Sequence, residues 1–244
     1  MSSSSPSPDA DLSLTATVTD ELRRLRVVPV VVIHDSRHAV ALADALIRGG
    51  LRCIEITFRT PGAADALRAI ARGHHEMLVG AGTVLTPRQA ALAREAGARF
   101  VVSPGLNPRV VDYCLTNDLP IYPGVCTPTE IEAALERGLN VLKFFPAEPM
   151  GGATFLQAIS APYGEVEFIP TGGIGLDQLP GYLRMKKVVA CGGSWIAPAA
   201  WIDAGAFDRI EAEASRAAAV ALASKDGTAV ARTPERADPD GSSQ

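Results

Sequence analysis

The chain has 244 residues, of which 47% are hydrophobic and 20% are charged, and its formal net charge at pH 7 is −4. This composition provides an apolar core and excludes a wholly disordered chain. The weakly acidic balance argues against nucleic acid as a partner. The longest uninterrupted apolar run, residues 27–33, contains a proline and is far shorter than the roughly 20 residues of a membrane span.

Both ends of the chain have the composition of disordered tails. Residues 1–12 carry five serines and two prolines, and residues 224–244 mix charges with Pro, Gly and Ser. The first segment has no basic residue and no apolar stretch behind it, so we expect a cytoplasmic protein without a secretory signal. The four cysteines are widely spaced, which is typical of reduced thiols. We expect residues 13–223 to form one domain between the tails.

Between the tails, short β-branched apolar runs alternate with Ala/Leu-rich stretches of helical period. The strand-like runs are residues 27–33, 51–57, 77–80, 99–103, 119–122, 140–144, 166–170 and 187–191. The helical stretches include residues 39–48, 63–72, 87–96 and 129–137. Eight evenly spaced strands, with no GxGxxG motif after the first, predict an α/β fold of the closed (β/α)8 or TIM-barrel type, and not an open sheet. Residues 14–25 are expected to form an extra N-terminal helix that closes the bottom of the barrel.

Two charged residues interrupt strands that should be apolar on both faces. Glu55 and Lys143 each lie between two large apolar residues, so alternation turns both side chains into the barrel near the C-terminal ends of their strands. Burial favours the neutral carboxyl, which suits a general acid/base, and the neutral amine, which is a nucleophile. A buried lysine beside a buried acid indicates Schiff-base chemistry on a carbonyl substrate. The alternative is a structural ion pair without a catalytic task.

The loops after the strands carry features of an anion site. Two glycine pairs, residues 172–173 and 192–193, end the last two predicted strands, where barrels of this kind bind phosphate. Ser194 adds a hydroxyl donor. Arg59 is suitably placed for a substrate carboxylate, and Thr83 is either a second donor to it or a turn cap.

A catalytic metal is the alternative to lysine chemistry. His34 and His38 follow the first strand, whereas His74 and His75 precede the third strand and belong to the opposite edge. No inward Asp, Glu or His completes a ligand set with either pair. We therefore expect no metal. We also expect no cofactor, because a protonated lysine imine is itself the electron sink.

Six motifs occur in order between residues 27 and 201. They are IEITFRT around Glu55, GAGTVL from Gly80, SPGL from Ser103, KFFPAE from Lys143, PTGGI from Pro170 and GGSW from Gly192. Together they resemble the bacterial 2-keto-3-deoxy-6-phosphogluconate (KDPG) aldolases, a family that includes the 4-hydroxy-2-oxoglutarate (KHG) aldolases.

The resemblance implies a metal-free class I aldolase of the Entner–Doudoroff pathway, on a homotrimeric barrel. Its products would be pyruvate and glyceraldehyde 3-phosphate from KDPG, and pyruvate and glyoxylate from KHG. Lys143 matches the Schiff-base lysine and Glu55 the general acid/base. The other matched positions are Arg59 and Thr83 for the carboxylate, Pro104 and Phe145 for the pocket lining, Thr171 for a substrate contact, and Gly172, Gly173, Gly193 and Ser194 for the phosphate end.

Two loops depart from the pattern that the resemblance implies. The loop after the first strand reads Ile33-His34-Asp35 where lysine is frequent, and the loop after the fifth strand has Cys126 where serine is common. Both departures affect the distal end of the substrate, so two alternatives stay open among enzymes: an aldolase for the phosphogalactonate epimer, or one for an unphosphorylated 2-keto acid. A non-catalytic barrel that binds phosphosugars is the alternative outside enzymes.

Overall fold

The computed structural model describes the backbone of residues 8–224 and the side chains from Leu14 onward. Its strands are β1 (Val27–Val31), β2 (Cys53–Thr57), β3 (Leu78–Gly82), β4 (Phe100–Val102), β5 (Ile121–Tyr122), β6 (Gly124–Val125), β7 (Val141–Phe144), β8 (Glu167–Pro170) and β9 (Cys191–Gly193). Its helices are α1 (Pro8–Leu25), α2 (Ala39–Arg48), α3 (Ala63–Gly73), α4 (Pro87–Ala96), α5 (Pro108–Thr116), α6 (Pro128–Leu135), α7 (Gly152–Ser160), α8 (Leu179–Leu183), α9 (Ala199–Asp203) and α10 (Phe207–Ala223).

The strands pair in parallel and alternate with helices, so the predicted α/β class is confirmed. Six strands pair in the order β5-β4-β3-β2-β1-β9, and three pair in the order β6-β7-β8. Isolated parallel bridges, Phe168 to Val188 and Thr171 to Gly192, connect the smaller group to the segment around β9. The carboxyl ends of the strands therefore meet at one edge, from which the loops to the following helices emerge.

Two predicted strands differ from the observed ones at residues that the apolar pattern does not mark. The fifth run continues beyond residue 122 as β6, and Pro123 divides it because proline has no amide hydrogen for the ladder. The carbonyl of Pro123 still accepts the Lys143 amide at 2.9 Å. The eighth run was expected at residues 187–191, whereas β9 begins at Cys191 and continues through two glycines.

The buried side chains form two cores, one on each face of the strands. The outer core packs strands against helices and includes Ile54 and Ile56 of β2. The inner core contains Cys53 of β2 and Val141 of β7 together with large rings such as Phe100. Alternation along each strand separates the two cores, as the period of a β-strand requires.

Helix α1 corresponds to the extra N-terminal helix that the sequence predicts. Its Val18 and Leu22 belong to the inner core, and Thr19 shares a 2.9 Å hydrogen bond with the buried Tyr122 hydroxyl. The helix begins at Pro8, six residues before the expected start. Of the two predicted tails, residues 1–7 and 225–244 lie outside the described residues.

Helices α4, α5 and α6 begin at prolines that directly follow a capping side chain. Thr86, Asn107 and Thr127 each accept a backbone amide of the first turn, and the Thr127 cap is reciprocated by Glu130. The strand-to-helix loops at the site edge are therefore short and fixed. Among residues 8–224, no helix combines the length and the apolar character needed to cross a membrane.

Candidate active site

Glu55 and Lys143, predicted from strands far apart in the chain, lie side by side in the structure. Glu55 is the middle residue of β2, and Lys143 is the third residue of β7. The Lys143 Nζ atom is 3.7 Å from Glu55 Oε1, and Lys143 and Glu55 are only 4% and 3% exposed. Both side chains share the inner face with Cys53 and Val141, so the predicted inward orientation is confirmed.

The pair is in ionic contact but not hydrogen-bonded. A separation of 3.7 Å exceeds hydrogen-bond range, and Oε1 of Glu55 has no hydrogen-bond partner among the described residues. A buried acceptor without a partner costs stability, so native proteins keep such atoms rarely. This oxygen can therefore accept a hydrogen bond from a reactant or a water, as a general acid/base requires.

The end of β3 makes room for the Glu55 carboxyl group. A Cβ atom on Gly82 would lie 1.9 Å from Glu55 Oε1, so only glycine fits beside the acid. Thr83 follows with a left-handed φ of 55°, which turns the chain away from the strand at this point. Thr57 donates to the Val31 carbonyl at 2.8 Å and so fixes the end of β2 against β1.

Lys143 is enclosed by the loops after β4 and β7. Its Nζ atom lies 5.0 Å from the centre of the Phe145 ring, within the range of a cation–π contact. Gly124 is the register partner of Lys143 on β6, and a Cβ atom there would lie 2.1 Å from the Pro104 carbonyl oxygen. Phe145 therefore contacts the lysine, while Pro104 packs against the neighbouring strand β6 at Gly124.

The loop after β8 also lies against Phe145. A Cβ atom on Gly172 would be 3.2 Å from the Phe145 ring, so the turn approaches the ring closely. Gly172 and Gly173 have φ values of 104° and 80°, both in the left-handed region that favours glycine. Thr171, just before them, is buried and bridges to Gly192 of β9. This turn presents backbone rather than side chains, as an anion cradle requires.

Three further predicted residues lie at this edge of the sheet, without a direct contact to Glu55 or Lys143 among the described residues. Gly193 is buried under the ring of Trp195. Arg59, two residues beyond β2, and Ser194, directly after β9, are exposed. Within residues 14–224, Arg59 forms no ion pair, so its guanidinium is available to an external anion.

The histidines do not converge on Glu55 and Lys143. His34 contacts Asp203 at 2.9 Å, His38 lies 5.9 Å from the Phe207 ring, and His74 contacts Asp44 at 2.8 Å. In the part of the chain that the structure describes, no group of three His, Cys, Asp or Glu side chains is arranged to hold a metal ion.

The contact between Gly82 and Glu55 was not predicted from the sequence. The β2–β3 register pairs Thr57 with Gly82, which places the glycine beside the acid-bearing end of β2. A glycine at a strand end opposite a buried acid is the signal that could have identified this contact.

A buried lysine beside a buried carboxyl group, at the carboxyl edge of a parallel α/β fold, is the arrangement expected of an enzyme that uses lysine chemistry. Comparison with known proteins then identifies the family. The family model for KDPG and KHG aldolase matches residues 18–213, so the chain belongs to this family. The chain is therefore an aldolase, a lyase that cleaves carbon–carbon bonds.

Relatives and solved structures agree with this assignment. The chain is 53% identical to the 2-dehydro-3-deoxy-phosphogluconate aldolase of Treponema pallidum over 196 residues, which are 80% of this chain and 93% of that protein. It is 47% identical to the KHG/KDPG aldolase of Escherichia coli K12 over 184 residues, 75% of this chain and 86% of that protein. The KDPG aldolase of Legionella pneumophila, solved with pyruvate as a covalent carbinolamine intermediate, has a TM-score of 0.78 at 38% identity, covering 81% of this chain and 96% of that one.

Proposed function

We propose that this chain cleaves KDPG to pyruvate and glyceraldehyde 3-phosphate through a Schiff base, and cleaves KHG to pyruvate and glyoxylate as a second activity. The carrying observation is the buried Lys143 Nζ atom, 3.7 Å from a Glu55 oxygen that has no hydrogen-bond partner among the described residues. The names of the relatives, KDPG aldolase and KHG/KDPG aldolase, support the two substrates.

The first stage forms an imine. The neutral Lys143 amine attacks the C2 carbonyl carbon of the substrate, and the carbonyl oxygen takes a proton to give a carbinolamine. Glu55 in its acid form donates a proton to the departing hydroxyl group, which leaves as water. The protonated imine that remains is an electron sink, so the protein needs no separate cofactor for this step.

The second stage breaks the C3–C4 bond. Glu55, now a carboxylate, takes the C4 hydroxyl proton directly or through a water. The C4–O bond becomes the aldehyde carbonyl, while the electrons of the C3–C4 bond move into the imine and give an enamine. Protonation at C3 and hydrolysis of the imine then release pyruvate and restore the free Lys143 amine.

The remaining predicted residues are assigned by position along the substrate. Arg59 and Thr83, at the ends of β2 and β3, would hold the carboxylate, because a free guanidinium and a hydroxyl both suit a carboxylate. Pro104 and Phe145 would line the pocket. The contact of Phe145 with Lys143, and the packing of Pro104 against Gly124, the register partner of this lysine, support that assignment.

The loops after β8 and β9 are assigned to the phosphate. The left-handed Gly172 and Gly173 expose backbone amides without side chains, which suits a phosphate group. Gly193 and the exposed Ser194 hydroxyl would complete the donor set, and Thr171 would contact the substrate between the lysine and the phosphate.

The fold is proposed to be a closed (β/α)8 barrel with α1 across its bottom. Counting β5 and β6 as one strand divided by Pro123 gives eight strands. The hydrogen bond from the Lys143 amide to Pro123 and the bridge from Thr171 to Gly192 support closure on both sides of the smaller group. A homotrimer and a cytoplasmic location stay predictions, which light scattering and cell fractionation would test.

Steady-state cleavage of three substrates tests the proposal. KDPG, its galactonate epimer and KHG are compared by coupled pyruvate detection, and we expect the highest kcat/KM on KDPG. Lys143→Met should lower kcat by at least about three orders of magnitude, because no other group forms the imine. Lys186→Met removes an exposed lysine and serves as the matched control. Wild-type turnover in Lys143→Met, or no cleavage of any of the three by the wild type, would refute the proposal.

A further inference from the structure

Behind the glycine turn at residues 172–173, a carboxyl group and a phenol form a short hydrogen bond. The Tyr182 hydroxyl of α8 donates to Glu148 Oε1 at 2.5 Å. Tyr182 is 1% exposed, and Glu148 lies in the loop after β7, three residues beyond Phe145. Burial raises the pKa of Tyr182, and the bond to Glu148 raises it further, so the hydroxyl keeps its proton and acts as the donor.

The Glu148 segment is joined directly to the glycine turn. The Glu148 amide donates to the Gly172 carbonyl at 2.9 Å, and the Ala147 amide donates to the Thr171 carbonyl at 2.8 Å. A Cβ atom on Gly173 would be 2.7 Å from the Glu148 Cβ atom, so the side chain packs against the backbone of the turn. The turn therefore rests on Glu148 through both hydrogen bonds and packing.

Tyr182 fixes the other end of the same segment. Helix α8 follows the glycine turn in the chain. Its Tyr182 bonds to Glu148, the same residue that contacts the turn. Gln178 closes the intervening loop, since its Oε1 atom accepts the Gly175 amide at 3.0 Å. The segment from residue 172 to residue 182 is thus anchored at both ends on Glu148.

Its negative charge excludes Glu148 as a direct ligand of the phosphate. A carboxylate in contact with a phosphate would repel it, because like charges at close range destabilise each other. The Tyr182 hydroxyl instead occupies one oxygen of this carboxylate. A charge-assisted hydrogen bond of this kind is stronger than a neutral one and fixes the geometry of both partners.

We infer that Glu148 and Tyr182 are positioning residues, which hold the backbone of Gly172 and Gly173 in the conformation that receives the substrate phosphate. This inference rests on the proposed function, because it requires the phosphate to bind at this turn. Neither residue touches the reacting atoms in this scheme. Their loss should therefore weaken recognition of the phosphorylated end and spare the chemistry at Lys143.

The test compares Tyr182→Phe with Tyr163→Phe. Each substitution removes one hydroxyl that donates to a glutamate, and the Tyr163 partner is Glu132, away from the glycine turn. The quantity measured is the ratio of kcat/KM on KDPG to kcat/KM on KHG. In Tyr182→Phe this ratio should fall about tenfold through a higher KM for KDPG, the scale of one hydrogen bond to a charged group, with kcat unchanged. In Tyr163→Phe the ratio should equal that of the wild type.

Two outcomes would overturn the inference. The first is a wild-type ratio in Tyr182→Phe. The second is an equal loss on both substrates, which would indicate a general structural role. Glu148→Ala and the double variant extend the test: if the residues act as one unit, the double variant loses no more than the worse single variant. An additive loss in the double variant would also contradict the inference.

A readout independent of turnover separates this inference from the proposed function. Hydrogen exchange of the Ala147 and Glu148 amides, which bond to the turn, reports whether the turn stays in place. We expect exchange about tenfold faster in Tyr182→Phe than in Tyr163→Phe. Equal exchange in the two variants would overturn the positioning role. A wild-type enzyme with no preference for KDPG over KHG would instead refute phosphate recognition as proposed. Should Tyr182→Phe not fold, Glu148→Ala, which removes the acceptor, is measured in its place against Glu132→Ala, and the same fall in the ratio is expected.

Discussion

Gly82→Ala tests whether the space beside Glu55 is required for activity. The new methyl carbon would lie 1.9 Å from Glu55 Oε1, where ordinary contacts begin at 3.4 Å, so the carboxyl group would have to shift by about 1.5 Å. Proton transfer by a positioned side chain contributes about 10²–10⁴-fold to a rate and requires hydrogen-bond reach. We expect kcat for KDPG to fall by at least about 10²-fold, because a shift of this size takes the acid out of reach.

The cost in stability should be modest by comparison. Overpacking of one methyl group in a buried site costs about 1–3 kcal/mol, which lowers the melting temperature without preventing folding. Borohydride trapping with pyruvate reports whether Lys143 still reacts. Trapping should become slower, because Glu55 assists loss of the hydroxyl group, but it should remain measurable, because the substitution does not displace the amine. The combination of low turnover and retained trapping separates a displaced acid from an unfolded protein.

Gly73→Ala is the matched control for this substitution. Gly73 ends α3 and does not have a left-handed φ, and a Cβ atom added to it would meet no heavy atom within 4 Å. The control should keep wild-type kcat and gain up to about 1 kcal/mol of stability, since alanine favours a helix over glycine. Wild-type kcat in Gly82→Ala would refute the view that the position of Glu55 limits the reaction.

Three further predictions follow from the same site. Glu55→Gln preserves shape and removes proton transfer, so kcat should fall by about 10²–10⁴-fold with little change in KM; an unchanged kcat would remove Glu55 from the mechanism. Exhaustive treatment with EDTA should leave kcat unchanged because the lysine imine is the electron sink; a loss restored by added metal would favour a metal-dependent mechanism. The native protein should react with a thiol reagent at Cys126 only, because burial of the other three thiols blocks access and raises their pKa. All four thiols should react in denaturant. Rapid modification of several thiols in the native protein would contradict the buried positions of Cys53 and Cys191 in strands and of Cys114 in a helix.

The inward orientation of Glu55 and Lys143 was predictable because it depends on the strand period alone. A parallel strand buries both faces, so a charge in it must face either the helices or the interior, and the flanking apolar residues decide which. The two cores of the structure follow this rule, with Ile54 and Ile56 outside and Cys53 inside. The family motifs added the aldolase assignment, which the comparisons confirm.

Contacts that depend on backbone conformation were not predictable in this way. Glycine carries no hydropathy signal, so the strand at residues 191–193 was expected too early in the chain, and the space that Gly82 leaves for Glu55 was missed. The bond between Glu148 and Tyr182 joins a loop to a five-residue helix across 34 positions, and neither residue breaks a pattern. Such contacts follow from the register and packing of the folded chain, which local sequence does not encode.

The central claim is that Lys143 forms a covalent imine with the substrate. Incubation with pyruvate followed by borohydride reduction, then digestion and mass spectrometry, tests it most directly, because reduction converts the imine into a stable secondary amine on the lysine that formed it. We predict one reduced pyruvyl group per chain, located on Lys143, and none on the exposed Lys186. An unmodified Lys143, or a label distributed over surface lysines, would contradict the Schiff-base mechanism.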